Sequence, residues 1–210
     1  MGSEMCIRDR AYPELSPDFA LPELSEDTVQ MIGQRVREYL DVIRDFPRLT
    51  GAGFLKQAAV QRLKDWLPKP NAHETVKRED YHQTLLNLRE FFLSLDWVTC
   101  TTSTIRVTEL GERAARDPDF ATQLILGAIP YSYSPPSGAP QLGLDLVHLL
   151  RGDIPTQLDW DPILIISRDL FFALGILTHD THLATIKPGH EGFVAAVLAS
   201  LRDDLNQELD

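Results

Sequence analysis

Apolar residues recur at helical spacing through the first part of the chain. Val29, Ile32, Val36, Tyr39, Leu40 and Ile43 form one stripe. Ser25 followed by Glu26 and Asp27 places a capping hydroxyl and two acids at the positive end of a helix dipole, so the pattern predicts a helix from 25 to about 46, stopped before Pro47. Phe54, Leu55, Ala58, Ala59, Leu63, Trp66 and Leu67 predict a second helix over 53–67, ended by Pro68 and Pro70. Asp80 with Gln83 has the form of a capping box, and Leu85, Leu88, Phe91, Phe92 and Leu95 carry a third helix to about 96 with Gln83, Asn87 and Glu90 outward.

The period then shortens. Residues 97–100 and 104–107 are β-branched runs around Thr101, Thr102 and Ser103, a hairpin signal, and Thr108 opens a short helix over 108–115. These residues, LREFFLSLDWV (88–98), a polar turn and IRVTELGERAA (105–115), resemble the winged-helix superfamily. The resemblance covers about 50–117 and implies a recognition helix that runs into an aromatic-led wing strand, with the second strand leading into a Thr-x-x-Gly helix start.

A second copy of the pattern follows over about 140–205. Leu142, Leu144, Leu146, Leu149 and Leu150 predict a helix over 141–151, and Asp161-Pro162 opens another that runs to about 175. Residues 176–178 and 183–186 read as strands around the turn 179–182, and 193–205 as a closing helix; LFFALGIL echoes FFLSLDWV. The expected fold class is therefore mainly α with short β-hairpin wings (α+β), as tandem winged-helix-like domains. The expected division is a non-native leader (1–10), an extended arm (11–24) in which Tyr12, Leu15, Phe19 and Leu21 are there to be buried, a first domain (25–118), a Pro/Ser-rich connector with a short helix (119–143), an acidic second domain (144–205) and a tail (206–210).

Charge narrows what such domains could bind. The chain has 210 residues and a net charge of −11; residues 1–118 carry 16 Lys/Arg against 19 Asp/Glu, and residues 119–210 carry 4 against 12. Nucleic-acid binders draw affinity from cations that neutralise phosphates, so the second half is a poor surface for DNA and a better one for a basic protein. The longest apolar stretch, 162–177, is broken by Ser167, Arg168 and Asp169 and predicts no membrane span. Two cysteines, Cys6 and Cys100, build neither a disulfide framework nor a zinc site, and with no secretory signal the expectation is a cytoplasmic protein. A tandem, acidic pair of this kind resembles the small winged-helix subunits that bind the kleisin of bacterial chromosome-organising complexes, which implies a protein partner.

Candidate contact residues follow from these placements. On the third helix His82, Gln83, Thr84 and Asn87 are the types that read base edges, while Lys77, Arg78, Arg89 and, in the first hairpin, Arg106 are types that hold phosphates. Lys77-Arg78 is followed at once by Glu79-Asp80, which largely cancels the local field. The apolar runs at Phe91-Phe92 and 163–172, with Phe171 and Phe172, exceed what one helix face needs and mark a partner or homodimer surface, and Tyr131 and Tyr133 either dock a partner or pack between domains. His179, His182 and His190 have metal-ligand chemistry without a familiar spacing, and Asp153, Asp159 and Asp161 lie without a lysine, so no metal, cofactor or catalytic residue is expected. The expected function is a non-catalytic adaptor subunit of a multiprotein complex acting on DNA, with a sequence-specific transcriptional regulator as the alternative.

Overall fold

The computed structural model describes residues 12–16, 18–64, 79–132, 139–152, 169–180 and 183–207. Residues 1–10, expected to be a leader, lie outside them. After a 3-10 turn at Pro13–Leu15 come α1 (Glu26–Asp45), α2 (Gln57–Arg62), a 3-10 turn at Glu79–Tyr81, α3 (Gln83–Ser94), β1 (Val98–Cys100), β2 (Ile105–Val107), α4 (Glu109–Arg116), α5 (Pro118–Ser132), α6 (Ala139–Arg151), a helical turn over 169–173, β3 (Leu177–Asp180), β4 (Leu183–Ile186) and α7 (Glu191–Gln207). The fold is mainly helical, with two small antiparallel sheets of two strands each. None of the described helices is long and apolar enough to cross a membrane.

Helix α1 forms where its stripe requires. The Ser25 hydroxyl accepts the Thr28 amide, and Ile32, Val36, Tyr39, Leu40 and Ile43 are wholly buried. A cap of that kind contributes about 1 kcal/mol, whereas each buried side chain contributes about 1.5–3 kcal/mol, so packing and not capping holds α1 in place. It packs against α4 and α5. Arg37 Nε donates to the Ala115 carbonyl at 2.9 Å, and Arg44 pairs with Glu112 at 2.8 Å.

Two early expectations need correction. The second helix is shorter than 53–67 because Gly53, with φ of 81°, turns the chain instead of starting a helix, and Leu55 bridges back to Leu49. Residues 47–49 also lie along β2, where the Leu49 amide donates to Ser103 and the Ile105 amide to Pro47. The third helix starts at Gln83 and not at Asp80, because Glu79 is pulled inward and winds 79–81 into a 3-10 turn.

The expected connector is largely helix. Ala121, Ile125 and Ile129, four residues apart, bury one face of α5, and the Asp117 carboxylate caps it by accepting from the Phe120 amide at 3.0 Å. Helix α5 packs on α1 on one side and α7 on the other, so a single apolar cluster runs through both halves. Phe91, Phe92, Phe171 and Phe172 are all buried in that cluster, which corrects their assignment to an exposed partner surface. Phe92 meets Tyr39 edge-on at 4.9 Å and Trp97 at 5.0 Å, and Phe171 meets Phe193 at 5.7 Å. Two consecutive phenylalanines are needed because each helix end sits inside the protein and buries more than one face. In the arm Leu15 is buried, but Phe19 is exposed.

The echo between FFLSLDWV and LFFALGIL extends to the backbone. The Trp97 amide donates to Phe92 and the Ile176 amide to Phe171; the Thr108 amide donates to Trp97 and the Lys187 amide to Ile176. Each bond of the second set lies 79 residues after its counterpart (97 to 176, 108 to 187). Asp96 and Gly175, at matching positions, both have positive φ and close their helices with the same pair of C-terminal hydrogen bonds. The strand registers match too, Val98 opposite Val107 and Leu177 opposite Ile186.

Close approach at one glycine sets how the halves meet. A Cβ on Gly33 would stand 2.5 Å from Pro118 Cβ, whereas one on Gly127 would meet nothing within 4 Å. Gly33→Ala is therefore expected to lower stability by about 1–3 kcal/mol through overpacking. Gly127→Ala should be neutral or raise stability by about 0.5–1 kcal/mol. Urea unfolding midpoints of the two variants check the contrast.

Candidate nucleic-acid and partner interface

The first half brings two groups of candidate residues to different places. In α3 the polar residues turn inward more than an isolated amphipathic helix would. Gln83 is exposed and its amide donates to Asn87 Oδ1 at 2.8 Å, His82 is half-buried at the N-cap, and Thr84, Asn87 and Arg89 are buried. The expectation that Asn87 faces outward is corrected by its partner, since Asn87 Nδ2 donates to Asp169 Oδ2 at 3.3 Å in the second half. Lys77, Arg78 and Tyr133 lie outside the described residues, as do the side chain of Tyr131 and His182.

Arg89 is occupied by the protein itself. Its Nη1 donates to Glu79 Oε2 at 2.6 Å and to the Gly53 carbonyl at 2.9 Å, while the same Glu79 oxygen accepts the Leu55 amide at 2.7 Å. Burial pushes the Glu79 carboxyl up from its ordinary range, opposed by the Leu55 amide and by Arg89. This pair locks the turn 50–55 onto α3 and removes Arg89 from the phosphate-binding set.

Arg106 is exposed on β2. Paired residues in an antiparallel sheet point to one face, as do residues two apart in a strand. Arg48 is bridged to Thr104, and Thr99 stands opposite Arg106, so Arg48, Thr99, Thr104 and Arg106 share the outer face of the hairpin. Neither arginine has an ion-pair partner among the described residues. The turn hydroxyls are partly spent internally, with Thr101 Oγ1 2.8 Å from Thr104 Oγ1. Arg48 was not legible as a member of this face, because the single bridge that puts it there leaves no periodic trace in the sequence.

Two further features concern protein contacts and titration. An open groove follows α1 against Pro118, lined by Asp27, Gln34, Arg37, Glu38 and Asp41, with acids in excess. Among the described residues no three of His, Cys, Asp or Glu converge as metal ligands would. His190 stands at the start of α7 and its Nδ1 lies 2.8 Å from Thr28 Oγ1 of α1, joining the two halves. Burial, with Lys187 adding to it, holds this imidazole below its ordinary value against the opposite pull of Glu191 and Asp27.

Two predictions follow from these geometries. Arg89→Ala leaves Glu79 buried without its cation and is expected to cost about 3–5 kcal/mol, while replacing both by methionine should recover most of that; urea unfolding measures both. For His190 the unfolded chain takes up the proton first as pH falls through about 6.5, so stability declines there and levels off only below the lower folded value. Unfolding midpoints from pH 7.5 to 5 should therefore show a smaller decline in His190→Gln than in the unaltered chain. Compared with protein-family models, with curated proteins and with solved structures, the chain matches none.

Proposed function

We propose that the chain is a tandem winged-helix adaptor, a non-catalytic subunit that joins proteins in an assembly acting on DNA. The fold reading rests on element order. Among the described residues of 26–116 the order is helix, bridging segment, helix, helix, hairpin and helix, which fits the winged-helix sequence of elements, and the hairpin corner of the second half repeats the first at a constant offset of 79 residues. The functional reading rests on one observation, the inward turn of α3. In a DNA-reading winged helix this element would enter the major groove. Here Thr84, Asn87 and Arg89 are buried, and Asn87 is bonded across to Asp169.

With that helix engaged inside the protein, the candidates for DNA contact among the described residues are Arg48 and Arg106 on the outer hairpin face. Two guanidinium groups neutralise too few phosphates for tight binding, and phosphate contacts carry no sequence information. The acidic balance of residues 119–210 and the groove along α1 favour a protein ligand with basic side chains.

Fluorescence anisotropy with duplex DNA across a salt series separates the readings. Weak binding is expected, with a dissociation constant above about 1 µM near physiological salt, no preferred sequence, and loss of what remains in Arg48→Ala/Arg106→Ala. Tight capture of one sequence, abolished by Gln83→Ala, would instead establish the regulator. Purification from its native host should bring down a protein partner in fixed stoichiometry, and a chain recovered alone would count against the adaptor.

A further inference from the structure

The second hairpin corner departs from the first at the residue that follows its second strand. In the first half that residue is Thr108, whose hydroxyl accepts the Gly111 amide and donates to the Asp96 carbonyl, so it caps α4 and closes the corner. At the matching place, 79 residues on, stands Lys187. A lysine has no acceptor with which to cap a helix, and α7 begins only after Pro188, Gly189 and His190 as well.

The Lys187 ammonium lies instead beside α1. A Cβ on Gly175 would stand 3.4 Å from Met31 Sδ, 3.5 Å from Arg35 Nε and 3.7 Å from Lys187 Nζ, so two cations converge on one point over the corner glycine. These are ordinary contact distances, with room for one atom that touches both. Like charges brought together in a half-buried place are unfavourable. Burial first, and then the charge of Arg35, hold the Lys187 ammonium below its ordinary value. Arg35 has an acid beside it, Glu38, 3.5 Å from its Nη1. Lys187 has neither a hydrogen-bond acceptor for its ammonium nor an acid within ion-pair distance among the described residues. Residues 119–210 contain four Lys/Arg, and of these Arg151 pairs with the Glu14 carboxylate and Arg202 donates to the Glu14 carbonyl. A cation set against another cation, in the acidic half of the chain, has no such internal use.

We propose that Arg35 and Lys187 form a seat for a phosphate group, either inorganic phosphate or the terminal group of a small phosphomonoester, with one oxygen over Gly175. A phosphate dianion matches two cations in charge, and its tetrahedral oxygens reach donors on two sides. The carboxylate of Glu38 shows the contrast, since it engages Arg35 and does not reach Lys187. Arg35 belongs to α1 and Lys187 to the second hairpin, so the bound anion ties the two halves together. The inference goes beyond the adaptor reading and does not rest on it.

The test is calorimetric titration of the full-length chain with inorganic phosphate at constant ionic strength. A dissociation constant below about 1 mM is expected. Lys187→Met and Arg35→Met, which replace half-buried cations by apolar chains, should each weaken binding by about tenfold or more. In amide NMR spectra the Gly175 amide and the Arg35 Nε signal should shift along the same saturation curve. Phenyl phosphate separates the two sources: affinity no higher than that of phosphate assigns the free ion, and higher affinity, lost in the same variants, assigns a phosphomonoester. Absence of binding up to about 10 mM phosphate overturns the proposal. So does acetate bound as tightly as phosphate, an affinity unchanged in Lys187→Met, or shifts confined to other residues. Circular dichroism verifies folding of each variant; should Lys187→Met not fold, Lys187→Gln takes its place, and an affinity unchanged there overturns the proposal equally.

Discussion

At position 33 the absence of a side chain lets the backbone of α1 come into contact with the ring of Pro118, the first residue of α5. Through that contact α1 serves the first half with one part of its surface and meets α5 with another, and α5 in turn reaches α7. The apolar cluster runs through both halves, and the division into two domains with a connector describes the order of elements better than it describes the core. A chain built this way has little freedom to rotate one half against the other without opening the contact between α1 and α5.

Within that frame the Glu79 and Arg89 pair decides what α3 can do. Forming it draws Glu79 into the interior, ties the turn at Gly53 to the helix, and rotates the polar side of α3 toward the second half, where Asn87 finds Asp169. Of the residues suited by type to read bases, Thr84 and Asn87 are thus taken into the interior, and Asn87 helps to hold the protein together. Side chains of the same chemistry serve cohesion or recognition according to which way one helix faces.

The features legible from sequence were those with local causes. The stripe of α1 and its Ser25 cap, the two hairpins, and the Thr108 cap with its bond to the Gly111 amide all follow from residues within a few positions of one another. The inward face of α3 was not legible, since Asn87 and Asp169 are 82 positions apart and Arg89 is paired with Glu79, whose place in the sequence shows only that it offsets Lys77-Arg78. Helix α5 was partly in view, as Ala121, Ile125 and Ile129 have helical spacing, but the prolines and serines that follow gave the region the look of a linker. The aromatic pairs misled for a related reason. Excess hydrophobicity on a helix says that more than one side is covered, not by what.

The corners at Asp96-Trp97 and Gly175-Ile176 share their backbone bonds and their register but not their side chains. Asp96 takes up a positive φ that glycine adopts more readily, and a tryptophan in one copy stands where an isoleucine stands in the other. What the two halves hold in common is therefore a path of the main chain, specified by where amides and carbonyls must meet, with many residue types able to follow it. A constant spacing between two such corners can therefore hold a backbone path in place while most of the side chains along it differ.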